Sequence, residues 1–112
     1  MKALIVVDVQ NDFLPGGALS VAEGEAILPV VNALMSKYPL VVATQDWHPK
    51  QHGSFASANP GMAPYQMGEL EGLPQVFWPD HCIQGSHGAE LSAGLDQERV
   101  EAVFRKGIDP KI

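Results

Sequence analysis

The stretch TQDWHPKQHGSF, at residues 44–55, places a carboxylate and an imidazole two positions apart at the end of an apolar run. In an extended chain residues i and i+2 point to the same side, so Asp46 and His48 can face one ion. A carboxylate with imidazoles suits Zn²⁺ or Fe²⁺, and a catalytic site normally keeps three protein ligands with open positions. His81, in WPDHC, is the candidate third ligand, and His52, in QHG, is a candidate fourth.

Charged residues follow each of three apolar runs. Asp8 comes after LIVV, Asp46 after VVATQ, and Lys106 after VEAVFR. In open α/β sheets the ligand crevice lies outside the carboxyl ends of the strands, so these three side chains are expected to converge there. A lysine that ends an apolar strand is costly to bury without a carboxylate partner, and Asp8 is the candidate partner.

Each of these residues also has an ordinary structural interpretation. An aspartate that leaves a strand is often a turn former, which applies to Asp8 taken alone, and His48 without Asp46 would be an ordinary loop histidine. Aromatic side chains are more often core residues than ligand platforms, a reading that covers Phe13, Trp47 and Trp78. The metal hypothesis gains weight from the position of Asp46 at a strand end and from the three histidines that follow His48.

The elements that must position these residues are predicted from periodicity. KALIVVDVQ is an unbroken apolar run that suits a strand covered on both faces, and LVVATQD, at 40–46, repeats that pattern. Between them, apolar residues recur at helical spacing from about Ser20, where Glu23 three residues later predicts a capping box. Residues 2–46 are therefore predicted to form a strand-helix-strand unit with a right-handed crossover.

The second half of the chain is less regular. No period is apparent at 49–79, which is rich in proline and glycine and is predicted to be a functional loop such as a lid. GAELSAGL, at 88–95, is predicted to be a weak helix, and RVEAVFRKG, at 99–107, a third strand. Together these elements indicate an open α/β sheet.

Composition narrows the class of protein. The chain has 112 residues, enough for one domain or part of one, and 46% of them are hydrophobic. A formal net charge of -6 and the lack of a basic run argue against nucleic-acid binding. ALIVV ends at Asp8 and is too short for a signal peptide or a membrane span, so a cytoplasmic location is expected. The single cysteine, Cys82, is expected to pack inward, and His87 to lie on a surface loop.

Four segments in order carry a resemblance to a known family. ALIVVDVQNDFLPGGAL, TQDWHP with HGSFA, WPDHCIQGSHGAEL and VFRKG together resemble the N-terminal portion of nicotinamidases (pyrazinamidases), in the isochorismatase-like cysteine hydrolase family. The resemblance implies an amidohydrolase that converts nicotinamide to nicotinate and ammonia, a reaction of NAD salvage. It extends from Met1 to about Lys106.

The resemblance also implies roles for individual residues. Asp8 matches the aspartate that takes the proton from a cysteine thiol and passes it to the leaving ammonia, and Lys106 matches the lysine beside this pair. Phe13 and Trp78 match aromatic residues that sandwich the pyridine ring. Asp46, His48 and His81 match ligands of a divalent metal, zinc or iron with manganese as a further option, while His52 falls near a position that binds the metal only in some members.

One part of the family pattern has no counterpart. The nucleophilic cysteine of the family lies on a later segment, and Cys82 aligns with a non-catalytic cysteine. The implied fold is a Rossmann-like parallel sheet of order 3-2-1-4-5-6 with helices on both faces, of which residues 1–112 would supply only the first three strands. We therefore expect a completing chain or C-terminal half to cover the open edge of the first strand. The oligomeric state, including a homo-oligomer, stays open.

Two alternatives use the same residues differently. Asp46, His48 and His81 could hold zinc in a hydrolase whose metal-bound hydroxide attacks the substrate directly. The chain by itself could instead be a non-catalytic metal-binding fragment. Residues 1–112 alone are expected to release no ammonia from nicotinamide.

Overall fold

A three-stranded parallel sheet forms the centre of the computed structural model, which describes residues 1–112. In chain order the elements are strand β1 (Ala3–Val7), helix α1 (Ile27–Met35), and strands β2 (Leu40–Asp46), β3 (Met67–Leu70), β4 (Leu73–Val76) and β5 (Ala102–Lys106). Strand β2 lies between β1 and β5. The predicted α/β class and parallel sheet are confirmed, with α1 as the single α-helix among these residues.

The register of the sheet brings the strand ends level. Ala3 pairs with Leu40 and Val7 with Thr44, so Asp8 follows β1 beside the end of β2. On the other side of β2, Asp46 is directly opposite Lys106. All three strands are parallel, so the three charged residues meet at one edge.

Helix α1 begins later than the sequence predicts. Glu23 adopts a left-handed conformation with φ 59°, no side chain caps the turn that follows, and the α-helix starts at Ile27. The predicted capping box at Ser20 and Glu23 is therefore wrong. Pro29 lies in the first turn of α1, where a backbone N–H has no helical partner and proline is tolerated.

One face of the sheet is covered and the other is open. The core consists of apolar side chains from β1 and the segment after it, from β2 and α1, and from the loop before β5: Val6, Val9, Met35, Val41, Ala43 and Leu95. Side chains alternate along a strand, so Ile5 and Val7 point to the opposite face, where they are 60% and 61% exposed. The prediction that β1 is covered on both faces is thus wrong within residues 1–112, because α1 packs on one face only.

Two loop predictions also need correction. Strands β3 and β4 form an antiparallel hairpin inside the segment that was predicted to lack regular structure. Glu71 and Gly72 connect them with φ 50° and 79°, the left-handed pair that a two-residue hairpin turn of type I′ requires. Residues 88–95 form no helix: the Ser92 N–H donates to Val9 O at 2.9 Å, which holds this segment along the chain after β1. No helix of the structure has both the length and the apolar character needed to cross a membrane.

Candidate active site

Lys106 connects two carboxylates at the carboxyl edge of the sheet. Its Nζ lies 2.8 Å from Asp8 Oδ2 and 2.5 Å from Asp46 Oδ1. Burial works against the charged form of Lys106, but hydrogen bonds to Asp46 and Asp8 outweigh it and raise the pKa of the ammonium. The predicted convergence of the three strand ends is present, with the Lys106 ammonium between the two carboxylates.

Asp8 is fixed by its backbone and by both carboxylate oxygens. Its φ of 54° is uncommon for a residue other than glycine, and its N–H donates to Thr44 O at 3.2 Å. The Thr44 hydroxyl donates to Asp8 Oδ1 at 2.7 Å, while Lys106 takes the other oxygen. These contacts hold the Asp8 side chain in one orientation. Sequence reasoning missed Thr44, although its position two residues before Asp46 puts it on the same side of β2.

Asp46, His48 and His81 form a compact group of potential metal ligands. One ligand atom from each lies within 4.8 Å of the other two. The Nδ1 atoms of His48 and His81 lie 2.7 Å from Gly107 O and 2.8 Å from Pro79 O. A carbonyl oxygen only accepts, so each Nδ1 carries a proton, and in the neutral imidazole, which is the form that binds a metal, Nε2 keeps its lone pair. Two imidazoles and a carboxylate in this state fit a divalent metal of the zinc or iron type.

The electrostatics of the group favour a charged Asp46. Burial alone would raise the pKa of this carboxyl, but hydrogen bonds and charge from His48 and Lys106 lower it to about 2. For His48, burial lowers the pKa and is outweighed by the hydrogen bonds to Asp46 and Gly107, which raise it. Burial dominates at His81 and lowers its pKa, which favours the neutral, metal-binding form.

His52 lies beside the group without belonging to it. Its ring centroid is 4.6 Å from that of His48, and it is 2% exposed. The Ser54 N–H and hydroxyl contact Nδ1 at 3.1 and 2.8 Å, and Nε2 is buried without a hydrogen-bond partner. Burial, followed by the charge of His48, lowers the pKa of His52. The role of His52 as a fourth ligand stays a prediction.

Aromatic residues surround the imidazoles unevenly. Phe13 contacts His81, with ring centroids 5.8 Å apart, whereas Trp78 packs against Tyr65 at 6.1 Å. Phe55, which the sequence analysis did not single out, is fully buried and presents ring contacts to His48 and His81 at 5.6 and 5.4 Å. A cleft of about 330 Å³ opens beside Asp8, and its lining includes Val7, Asp8, Phe13, Leu14, Val21 and Ile27.

Gln10 is a buried positioning residue that sequence reasoning missed. Its side chain is fully buried, and its amide pairs with the backbone of Asp46 in both directions: Nε2 donates to the carbonyl and Oε1 accepts from the N–H, each at 2.9 Å. Nε2 also donates to Ala89 O at 2.8 Å. The amide therefore extends the hydrogen bonding of the sheet past the end of β1 and fixes Asp46.

Cys82 is buried as expected and is unsuited to nucleophilic attack. It is fully buried, and burial, followed by the negative charge of Asp12, raises the pKa of its thiol to about 12. Its backbone has φ 48°, and its N–H donates to Asp12 Oδ2 at 2.8 Å. The His87 side chain is 85% exposed, as predicted for a surface loop.

The fold and the site agree with comparisons to known proteins. The family model of the isochorismatase domain matches residues 2–108. The chain therefore belongs to the isochorismatase family, which confirms the resemblance inferred from the four sequence motifs.

The individual relatives to which the chain is similar include nicotinamidases and pyrazinamidases. The chain is 52% identical to an Escherichia coli nicotinamidase over 115 residues, a match that covers 99% of this chain and 54% of that protein. The solved structure of an Acinetobacter baumanii nicotinamidase/pyrazinamidase is 49% identical with a TM-score of 0.91, covering 95% of this chain and 51% of the other. A Pyrococcus horikoshii pyrazinamidase solved in complex with zinc is 40% identical with a TM-score of 0.72, covering 98% and 54%. The chain thus spans about half the length of the relatives it matches.

Proposed function

We propose that this chain supplies the base and the metal centre of a nicotinamidase, an amidohydrolase that converts nicotinamide to nicotinate and ammonia. The observation that carries the proposal is the Lys106 ammonium, which contacts both Asp8 and Asp46 next to His48 and His81. The identity of 52% to the Escherichia coli nicotinamidase supports the substrate class.

In the proposed mechanism Asp8 acts as a general base toward a cysteine thiol. The sulfur, once deprotonated, attacks the carboxamide carbon, and the carbon–nitrogen bond breaks as Asp8 returns the proton to the departing ammonia. Water then hydrolyses the thioester to release nicotinate. Lys106 stabilises the negative charge that builds up next to Asp8, and Thr44 keeps the base aimed through its hydrogen bond of 2.7 Å.

Asp46, His48 and His81 would hold the metal, zinc or iron, with manganese as a further option. When bound, the ion would hold the pyridine nitrogen of the substrate and so orient the carboxamide toward the nucleophile. The solved zinc complex of a related pyrazinamidase supports a divalent metal. His52, next to His48, is the candidate for a fourth ligand.

Substrate binding is assigned to the aromatic residues Phe13 and Trp78, which would lie on either side of the pyridine ring. Support comes from the cleft that has Asp8 and Phe13 in its lining, since a ring held there would lie beside the base.

We further propose that residues 1–112 are the N-terminal portion of a single domain and that the nucleophilic cysteine lies in a completing segment. Cys82 is the only cysteine here, and burial keeps its thiol protonated, with a pKa of about 12. Strand β1 pairs on one side only and exposes Ile5 and Val7, an edge that native sheets normally cover. A role in NAD salvage and a cytoplasmic location belong to the same proposal.

The direct test is a chimera in which residues 1–112 replace the matching half of the Escherichia coli nicotinamidase. Ammonia release from nicotinamide is measured for the chimera, for its Asp8→Asn variant, and for residues 1–112 alone. We expect ammonia release only from the chimera that retains Asp8. A folded, zinc-loaded chimera without activity would contradict the proposal, and turnover by residues 1–112 alone would contradict the assignment of the nucleophile.

A metal-dependent hydrolase that needs no cysteine is the second candidate. The three-ligand group and the protonated Cys82 are the observations that favour it. Treating the active protein with iodoacetamide separates the two mechanisms. Because Cys82 is fully buried, alkylation of the folded protein would reach a cysteine outside residues 1–112. Loss of activity supports the cysteine mechanism, and full retention supports the alternative.

A further inference from the structure

Gly107, the residue after β5, contacts the metal centre in a way that only glycine permits. Its φ is +68°, and a Cβ built at this position would lie 2.5 Å from His48 Cε1 and 2.8 Å from His48 Nδ1. Its carbonyl accepts a hydrogen bond from the same Nδ1 at 2.7 Å. One backbone unit thus restrains the imidazole both sterically and by hydrogen bonding.

We propose that Gly107 is a positioning residue for the metal ligand His48, and this inference rests on the metal centre of the proposed function. Its carbonyl selects the tautomer in which Nδ1 carries the proton, which leaves Nε2 to bind the ion. Its lack of a side chain lets the backbone come close enough for that bond. His48 Nε2 then lies 3.5 Å from Asp46 Oδ2.

Among the glycines of this chain, only Gly107 combines a positive φ with a close neighbour at the built Cβ. Four other glycines have a positive φ, and none has an atom within 4 Å of the built Cβ: Gly16, Gly61, Gly72 and Gly85. The remaining glycines do not have a positive φ. Gly107 is therefore the one glycine of this chain where both the backbone conformation and a close neighbour exclude a side chain, and that neighbour is a proposed ligand.

The preceding residue adds to the argument. Lys106 directs its ammonium to Asp8 and Asp46, and its carbonyl accepts from the Trp47 N–H at 2.9 Å, which ties β5 to the residue before His48. The dipeptide Lys106–Gly107 thus contacts the carboxylates with a side chain and the imidazole with a backbone carbonyl. A shift of the backbone at Gly107 would move His48 relative to Asp46.

The first test is zinc affinity, measured by competition with a chromophoric chelator, for the wild type, Gly107→Ala and Gly72→Ala. Gly72 is the matched control because its φ is +79° and the space around it is open. We expect the zinc Kd to rise about 10- to 100-fold in Gly107→Ala and to stay within about 2-fold in Gly72→Ala. Wild-type affinity in Gly107→Ala would overturn the proposal.

The second test needs no metal. The urea midpoint of the metal-free protein is measured for Gly107→Ala in the wild-type and His48→Ala backgrounds. Gly72→Ala is measured in the same two backgrounds. If the destabilisation arises from the imidazole, Gly107→Ala lowers the midpoint more than Gly72→Ala does in the wild type, but only about as much as Gly72→Ala does in the His48→Ala background. If Gly107→Ala lowered the midpoint equally in both backgrounds, the proposed restraint of the His48 imidazole by Gly107 would be wrong. A wild type that binds no zinc would instead contradict the proposed metal centre, whatever the unfolding experiment shows.

Discussion

Lys106 lies directly opposite Asp46 across the β2–β5 pair, with Nζ 2.5 Å from Oδ1, and the same ammonium is 2.8 Å from Asp8 Oδ2. One cation is therefore shared between the proposed base and a proposed metal ligand. Its hydrogen bond and charge help to lower the pKa of Asp46. A change at Lys106 would alter the proton-transfer part and the metal-binding part of the site together.

Stability of the metal-free protein should depend on pH through Asp46. Its pKa is 3.8 in the reference state and about 2 in the fold, where the hydrogen bonds and charges of His48 and Lys106 outweigh burial. A folded pKa below the unfolded one adds stability that is complete above about pH 4 and is lost as pH falls through about 2. The expected loss is about 2 kcal/mol.

Urea unfolding between pH 6 and pH 2.5 measures this loss, with chelator present. Asp46→Asn should lose about 1.5 kcal/mol less than the wild type over that range, because the folded pKa of about 2 lies below it. Glu69→Gln, at an exposed hairpin position, should follow the wild type. If the free energy of unfolding changed with pH in the same way for the wild type and Asp46→Asn, Asp46 would not contribute to the pH dependence of stability.

Thr44 offers a conservative test of how the base is aimed. Thr44→Val keeps the shape of the side chain and removes the hydroxyl that donates to Asp8 Oδ1 at 2.7 Å. A hydrogen bond to a charged group contributes about 1.5 to 3 kcal/mol, so kcat for nicotinamide in the active chimera should fall about 10- to 100-fold. Thr44→Ser retains the hydroxyl and should recover most of the rate. Equal kcat values for the two variants would exclude an orienting role for the hydroxyl.

Gln10 should be one of the costliest polar residues to replace. Gln10→Leu removes three hydrogen bonds of a fully buried side chain and leaves the backbone N–H and carbonyl of Asp46 without these partners, while Ala89 O keeps its bond from Gln45 Nε2 at 2.8 Å. We expect the free energy of unfolding to fall by about 3 kcal/mol or more. Gln84→Leu is the control, since the exposed Gln84 makes one bond, to Trp47 O at 3.1 Å. Comparable losses in urea unfolding for the two variants would refute the role given to Gln10.

Sequence reasoning succeeded where local pattern and sheet topology coincide. The bounds of β2 were predicted from LVVATQD, and the meeting of Asp8, Asp46 and Lys106 follows from parallel strands ending at one edge. Such features depend on the periodicity of side chains and on the direction of the strands. Neither requires knowledge of loop conformations.

The features that were missed depend on contacts between residues distant in sequence. Gln10 bonds to Asp46 and Ala89, 36 and 79 residues away, and a single buried glutamine has no periodic signal. Ser20 and Glu23 have the spacing of a capping box, but the left-handed Glu23 delays the helix to Ile27. The β3–β4 hairpin was overlooked because each strand has only four residues.

Zinc titration can measure how much His52 contributes to zinc affinity compared with the proposed ligands His48 and His81. Its buried Nε2 has no partner, yet it lies outside the group formed by Asp46, His48 and His81. We expect His48→Ala and His81→Ala each to raise the zinc Kd at least about 100-fold, and His52→Ala about 10-fold or less. An effect of His52→Ala as large as that of His48→Ala would make it a full ligand.

The most direct test of the metal centre is anomalous diffraction from zinc-loaded crystals, with data collected on both sides of the zinc absorption edge. We predict one strong peak about 2.0 to 2.2 Å from an Asp46 carboxylate oxygen and from the Nε2 atoms of His48 and His81. A peak coordinated by other residues, or no peak from protein that is saturated with zinc in solution, would contradict the site on which the proposed function depends.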